Sequence, residues 1–455
     1  DQLTLLGELR LLNLSYNDLN DLPQRTLRSW PNLSELYLSG NDLTSLPADD
    51  FDDNSSLRIL HINGNKFQTL PAELGKAHHL AVLDVGSNSL KYNVSNWPYD
   101  WNWNCNPNLK YLNLSDNKRL NIKPNSQFDA QAGHRDERNI RGSTDFHSLK
   151  NLRILGLMDV TLTIPNIPDE TEDRRVRTSG TLAGAMSYGM ADTLGRNEHL
   201  SIIDMVVPRF NSNESETLVG LFDGQSSRTG GSKIAKYLHE NFGRIFTEEL
   251  KMLNPAVNDT PVDAMRRAFL SLNKELACAA TNVQDRSIVS HRGRSQPAAV
   301  LTEEDLNQGG VATVMFIEQM ELYVANIGDA QALLIQSEGG HRVLTRKHDP
   351  AEPSERQRIR DAGGWVSRQG KLNDELSVSR AFGYVHLMPA VQAAPHVSQV
   401  TLKEQDEMIL LASSELWEYL SPELVVDVAR SERTDLVRAA QKLRDLAMAF
   451  GATRK

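Results

Sequence analysis

From Leu9 to Leu162, apolar side chains recur in short sets at fixed intervals, most of them closed by an asparagine. Leu9, Leu12, Leu14, Asn17 and Leu19 form one set, followed by Leu33, Leu36, Leu38, Asn41 and Leu43. Leu57, Leu60, Ile62, Asn65 and Phe67 repeat it, as do Leu80, Leu83, Val85, Asn88 and Leu90. Leu109, Leu112, Leu114 and Asn117 resume the pattern, and a last copy (Leu152, Leu155, Leu157, Leu162) carries Val160 in place of the asparagine. The asparagines at 17, 41, 65 and 88 stand 23 or 24 residues apart. Alternation inside each set predicts a short strand with its apolar side chains on one face. One copy cannot close a core, so the copies must stack. The asparagine, the one polar residue facing inward, can pair turn backbone that burial would otherwise leave unsatisfied.

That period lies in the leucine-rich-repeat range of about 20–29 residues. It predicts an α/β leucine-rich-repeat solenoid, a horseshoe, over residues 1–163. The other strand face should carry one row of Leu11, Glu35, Ile59, Val82, Tyr111 and Ile154, and a second of Asn13, Tyr37, His61, Asp84, Asn113 and Gly156. The first row is mostly apolar, which suits a protein partner or else a merely tolerant surface. Leu11, Glu35, Tyr37, Ile59, His61, Val82 and Tyr111 are the candidate partner-binding residues of this concave face. Insertions interrupt the array at about 92–108 and 127–147. The first holds W-P-Y-D-W-N-W-N-C-N-P-N (97–108), whose aromatics should fold onto the repeat flank. The second is polar and reads as an exposed loop.

Residues 164–181 are proline-bearing and charged, as expected of a linker. From 182 to 455 β-like runs alternate with long amphipathic helices, which predicts an α+β sandwich with flanking helices. Residues 219–222, 312–317, 322–325 and 408–412 read as strands, and 232–253, 261–281 and 436–450 as helices. Residues 283–308 read as a loop insertion, Gly309–Gly310 as a turn, and Cys278 as a core residue of its helix.

Five motifs follow in order: L-F-D-G-Q (221–225), A-N-I-G-D-A-Q-A (325–332), R-K-H-D-P-A-E-P-S-E-R-Q-R-I-R-D-A-G-G-W-V (346–366), L-S-V-S-R-A-F-G-Y (376–384) and L-L-A-S-S-E-L-W-E-Y-L (410–420). In this order they resemble the metal-dependent serine/threonine phosphatases of the PP2C class, over residues 182–455. The resemblance implies a β-sandwich and two divalent cations that activate a bridging water. Position by position it implies metal ligands at Glu198, Asp223, Gly224 and Asp329. His199, Gln225, Ser414 and Arg454 stand where the family has an Asp, an acidic His and two further Asp-bearing sites, and Tyr384 replaces the Asp closing S-R-A-F-G-D. Two dications face only three retained carboxylates, with Arg454 adding a cation, and such charge imbalance is worth several kcal/mol per contact. At most one weak divalent ion and no phosphatase turnover are therefore expected, unless Glu415 serves as a shifted ligand.

The repeat array feeding a degenerate PP2C-like domain, the insertion Y-N-V-S-N-W-P-Y-D-W-N-W-N-C-N-P-N-L-K-Y-L-N-L-S (92–115) and the terminal G-A-T-R-K together resemble the central region of the fungal adenylate cyclases. This resemblance implies a regulatory, scaffold-like fragment. Its parent would convert ATP to 3',5'-cyclic AMP and diphosphate with Mg2+ or Mn2+, in Ras-linked nutrient signalling. It further implies a Ras-type small GTPase among the partners, and a cytoplasmic location with peripheral membrane association through them. The competing expectation is an active metal-dependent leucine-rich-repeat Ser/Thr phosphatase. Composition narrows this little. A net charge of −10 argues against nucleic acid as a partner. Two distant cysteines exclude a disulfide framework, and no run is apolar enough for a membrane span. Asp1 falls at a repeat edge without an initiator Met, so the chain is expected to be an excerpt, its PP2C-like part truncated at the C-terminal end.

Overall fold

The computed structural model describes the whole chain except residues 1, 53–54, 92–99, 123–145, 147, 163–166, 172, 226–228, 282–300, 303 and 453–455. The chain divides into two compact units. One comprises residues 1–182, 187–196 and 431–454; the other holds residues 183–186 and 197–430.

In the first unit, three-residue strands β1 (Leu11–Asn13), β2 (Glu35–Tyr37), β3 (Ile59–His61), β4 (Val82–Asp84), β5 (Tyr111–Asn113) and β6 (Ile154–Gly156) form one parallel sheet in chain order. Leu11, Glu35, Ile59, Val82, Tyr111 and Ile154 lie side by side, as the repeat pattern requires. A seventh strand, β7 (Arg175–Arg177), pairs with β6 inside the stretch expected to be a linker. Its R-V-R sequence has a single apolar residue, too little for periodicity to register.

The inward leucines make one continuous core from Leu12 to Val160. The asparagines hold its edge: Asn65 donates to the carbonyls of Leu38 (2.9 Å) and Ile62 (3.0 Å) and accepts from the Leu43 amide (3.1 Å). Asn41 and Asn88 repeat this scheme one turn to either side. Trp101 and Trp103 are buried against the same core, Trp103 stacking on Phe146 at 5.0 Å, so the described part of the aromatic insertion lies on the repeat flank. The α/β expectation needs correction here. Among the described residues of the repeats the connections are 3-10 turns, such as Ala48–Asp50 and Ala72–Lys76, each entered from a proline (Pro47, Pro71). Turns this short after a proline leave no length for an α-helix.

The second unit is a two-sheet sandwich. Strands β8 (Ile202–Pro208) and β9 (Glu216–Asp223) precede helices α1 (Thr229–Lys251) and α2 (Pro261–Thr281). Then come β10 (Gly309–Glu318), β11 (Glu321–Ile327), β12 (Gln331–Gln336), β13 (His341–Val343) and α3 (Pro353–Asp361). The unit finishes with β14 (Phe382–Gly383), β15 (His396–Thr401), β16 (Asp406–Ala412), α4 (Ser414–Tyr419) and most of α5 (Pro422–Ser431). One sheet runs β8-β9-β10-β11-β15 with β14 on β10; the other runs β13-β12-β16. Alternation along β10 sorts the two cores. Val314 and Phe316 pack with Phe242 and Phe246 of α1 and Phe269 of α2, whereas Met315 and Ile317 pack with Ala332 and Leu334 of β12.

The expected strands fall inside longer ones, and α2 has the expected bounds, while α1 begins three residues earlier than its apolar period suggested. Gly309 and Gly310 are not a turn but the start of β10. A Cβ on Gly309 would sit 2.1 Å from the Phe382 carbonyl oxygen, so only glycine lets β14 approach. Cys278 is exposed and not part of the helix's buried face. The expected loop at 283–308 lies mostly outside the described residues.

Helix α6 (Leu436–Phe450) is the last element among the described residues. Asp435 caps it, its carboxylate accepting from the Arg438 amide at 3.0 Å, and Gly451 ends it with a φ of 124°. By its contacts α6 belongs to the repeat unit.

Candidate functional site

Asp223 ends β9 and is buried, one carboxylate oxygen accepting from the Gln225 amide at 2.8 Å. Gly224 next to it admits no side chain: a Cβ there would lie 1.9 Å from the Gly231 carbonyl oxygen in the first turn of α1. Asp329 stands half-buried in the turn after β11. His348 fixes that turn from both sides, its amide donating to the Gly328 carbonyl (2.9 Å) and its Nδ1 accepting from the Gly328 amide (3.1 Å). Burial first, and the nearby Arg380 second, keep this imidazole neutral, with its pKa lowered to about 3.

Near both retained aspartates the sequence has a tyrosine. Tyr384 is buried at a left-handed φ of 49°. Its phenol is pushed up to about 12, by burial above all and then by the carboxylates of Asp223, Glu375 and Asp329. Both carboxylates thus act on this phenol, which stands where the resemblance implies an Asp. Glu198 is exposed in the bend ahead of β8, and His199 beside it is half-buried. Ser414 and Glu415 open α4, with Glu415 buried. Arg454 lies outside the described residues. Among the described residues, no three His, Cys, Asp or Glu side chains gather closely enough to hold a metal ion. The residues described do not fit a paired-cation donor set.

A polar cluster around Glu355 is structural. Glu355 of α3 accepts from Arg380 (2.7 Å), Arg358 (3.0 Å) and Ser379 (2.5 Å). Burial opposes its charge, but these donors outweigh burial and hold the carboxyl at about 2. The cluster ties α3 to the segment that carries Tyr384.

On the outer face of the repeat sheet, Tyr37, Ile59, His61, Val82 and Tyr111 are all buried, whereas Leu11, at 45% exposed, is open. Glu35 pairs with Arg196 at 2.8 Å. As an open docking row this face therefore needs correction: most of the row is covered by the chain itself. Arg444 of α6 donates to Asp84 (2.5 Å), Tyr111 (3.3 Å), Asn63 (3.2 Å) and the Asp192 carbonyl (2.9 Å). Asp445 accepts from Tyr16 (2.9 Å) and Asn63 (2.8 Å). Burial works against both charges. Their mutual attraction nevertheless holds Asp445 well below the usual carboxylate range and Arg444 above its own. Sequence reasoning missed this pair. Its one signal was Asp84, an acid in a row otherwise neutral at pH 7.

A two-sheet sandwich flanked by α1 and α2, with the Asp-Gly turn after β9, is the protein phosphatase 2C fold, and the chain belongs to that family. The family model described as protein phosphatase 2C matches residues 203–455, and a leucine-rich-repeat model matches residues 7–67. A rice relative named probable protein phosphatase 2C 45 is 32% identical over 266 residues, covering 57% of this chain and 81% of its own. More closely, the whole chain resembles a protein named adenylate cyclase from Podospora anserina, 64% identical over 459 residues and 21% of that protein's length. The adenylate cyclase of Neurospora crassa is 60% identical over 84% of this chain and 16% of its own. The chain thus spans about a fifth or less of these relatives, and the resemblance to fungal adenylate cyclases holds along all of it.

Proposed function

We propose that this chain is a regulatory scaffold within a fungal-type adenylate cyclase, its phosphatase-like part having lost turnover and its repeats, curved as a solenoid, engaging proteins. The observation that carries the first half is Tyr384, whose buried ring occupies the neighbourhood of Asp223 and Asp329. A phenol kept neutral beside two carboxylates does not supply the charge that two dications need. Gln225, in place of an acidic imidazole, removes the proton donor for a leaving group.

In this reading the parent forms 3',5'-cyclic AMP and diphosphate from ATP with Mg2+ or Mn2+. A Ras-type small GTPase is among the regulators that reach it through the repeats. The protein works in the cytoplasm, joining the membrane through its partners. Among the described residues no helix is long and apolar enough to cross one.

The test is manganese-stimulated hydrolysis of a phosphoserine or phosphothreonine peptide by the purified chain, beside Asp223→Ala. Equal background rates are expected. Turnover well above that variant would establish the alternative, an active leucine-rich-repeat phosphatase. For the partner, failure to capture the GTP-loaded GTPase in preference to the GDP-loaded form would remove it.

A further inference from the structure

We infer that α6 is a displaceable plug seated on the outer face of the repeat sheet, and that this face is built to receive a helix presenting adjacent arginine and aspartate. A protein that docks there must offer the same chemistry and expel α6. This holds whether or not the phosphatase-like site turns over.

Three observations separate a plug from an ordinary core helix. The leucine core of the repeats is complete without it: every residue of that cluster lies between Leu9 and Val176, and none comes from α6. Helix α6 does bury Val437, Ala439, Leu443 and Ala447, none of them part of that cluster, but its hydrogen bonds to the sheet are made by charged side chains. Arg444 and Asp445 meet Asp84, Asn63, Tyr16 and Tyr111. Lys442 lies 5.5 Å over the Tyr16 ring. Charges taken out of water gain selectivity more than net stability, since desolvation offsets most of their attraction.

The seat is also imperfectly matched. Both ring nitrogens of His61, 3.8 Å from Asp445, and both amide atoms of Gln441 are fully buried without a hydrogen bond to any described group. Each is a penalty on the closed state that opening would relieve. Finally, α6 lies within the protein phosphatase 2C match yet is built into the repeat unit. The plug is therefore tethered to the repeats through the whole of the other unit, which keeps it at high local concentration while leaving it free to leave.

The experiment uses the full chain and two readouts: hydrogen exchange over residues 436–450, and binding of a fluorescent peptide spanning residues 431–452. In the Arg444→Ala/Asp445→Ala variant, exchange over α6 should rise at least tenfold while β1–β6 stay protected. That variant should bind the peptide, the unaltered chain should not, and a peptide carrying the same two alanines should fail on both. Exchange over α6 that does not change overturns the proposal, as does loss of protection spreading to β1–β6, which marks an integral helix. So does an opened variant that ignores the peptide. Should the double variant not fold, Tyr16→Phe, which removes one hydrogen bond to Asp445, is judged by the same readouts and the same outcomes.

Discussion

Replacing Glu355 by glutamine should loosen α3 by an amount the structure lets one work out. The carboxylate is nearly fully buried and accepts from two guanidiniums and a hydroxyl. Holding it at about 2 rather than its ordinary 4.5 is worth about 3 kcal/mol at neutral pH, at roughly 1.4 kcal/mol per pKa unit. The folded pKa is depressed, so this stability is present above about pH 4.5 and lost as pH falls towards 2. Hydrogen exchange of the α3 amides, corrected for intrinsic rates, reads it locally and avoids assuming two-state unfolding of two units. At pH 7 Glu355→Gln should exchange roughly a hundredfold faster than the unaltered chain, and the gap should shrink to about 1 kcal/mol near pH 3. His348 titrates alongside. It is kept neutral with a pKa of about 3 against an ordinary 6.5, chiefly by burial, so its contribution fades as pH falls from 6.5 to 3. Because the Glu355 carboxylate raises that pKa, its loss at low pH is slightly larger in Glu355→Gln. A gap under threefold at pH 7, or one that is flat down to pH 3, would refute the assigned ion cluster.

Other outcomes follow from the same geometry. Asn65→Ala strips three buried hydrogen bonds from the repeat edge and should destabilise the repeat unit by about 2–4 kcal/mol, seen as faster exchange in the neighbouring turns. Gly309→Ala sets a methyl 2.1 Å from the Phe382 carbonyl and should cost about 3 kcal/mol by forcing β14 off β10; thermal unfolding unchanged within a degree would contradict it. Tyr384→Asp adds a third carboxylate near Asp223 and Asp329, and calorimetry should then show Mn2+ bound at least tenfold more tightly than by the unaltered chain.

The repeats were legible because their chemistry is local and periodic. A leucine at each inward strand position and an asparagine at each turn state the register directly, and Leu11 through Ile154 align as read. Beyond the repeats, α2 and α6 have the expected bounds because the apolar period marks them, and in α6 the caps agree. Periodicity, however, says that a helix has a face to bury and not what covers it. The apolar outward row of Ile59, Val82 and Tyr111 did announce a missing cover, but a single sequence could not say that the cover lay far downstream, at Arg444 and Asp445. The metal-site acids were legible as positions only. That Tyr384 sits beside Asp223 and Asp329 depends on the close β10–β14 approach that Gly309 permits, which no spacing reveals.

The asparagine ladder also explains why the array tolerates being lengthened. Asn117 follows Asn88 by 29 residues instead of 23 or 24, yet it donates to Val85 (3.0 Å) and Leu114 (2.8 Å) and accepts from Leu90 (3.0 Å) just as its predecessors do. The rungs clamp the start of each repeat to the one before and ignore how far the chain wanders before returning. New sequence can therefore accumulate on the flank of a repeat, as the tryptophan-rich loop has, without disturbing the ladder that receives the next strand.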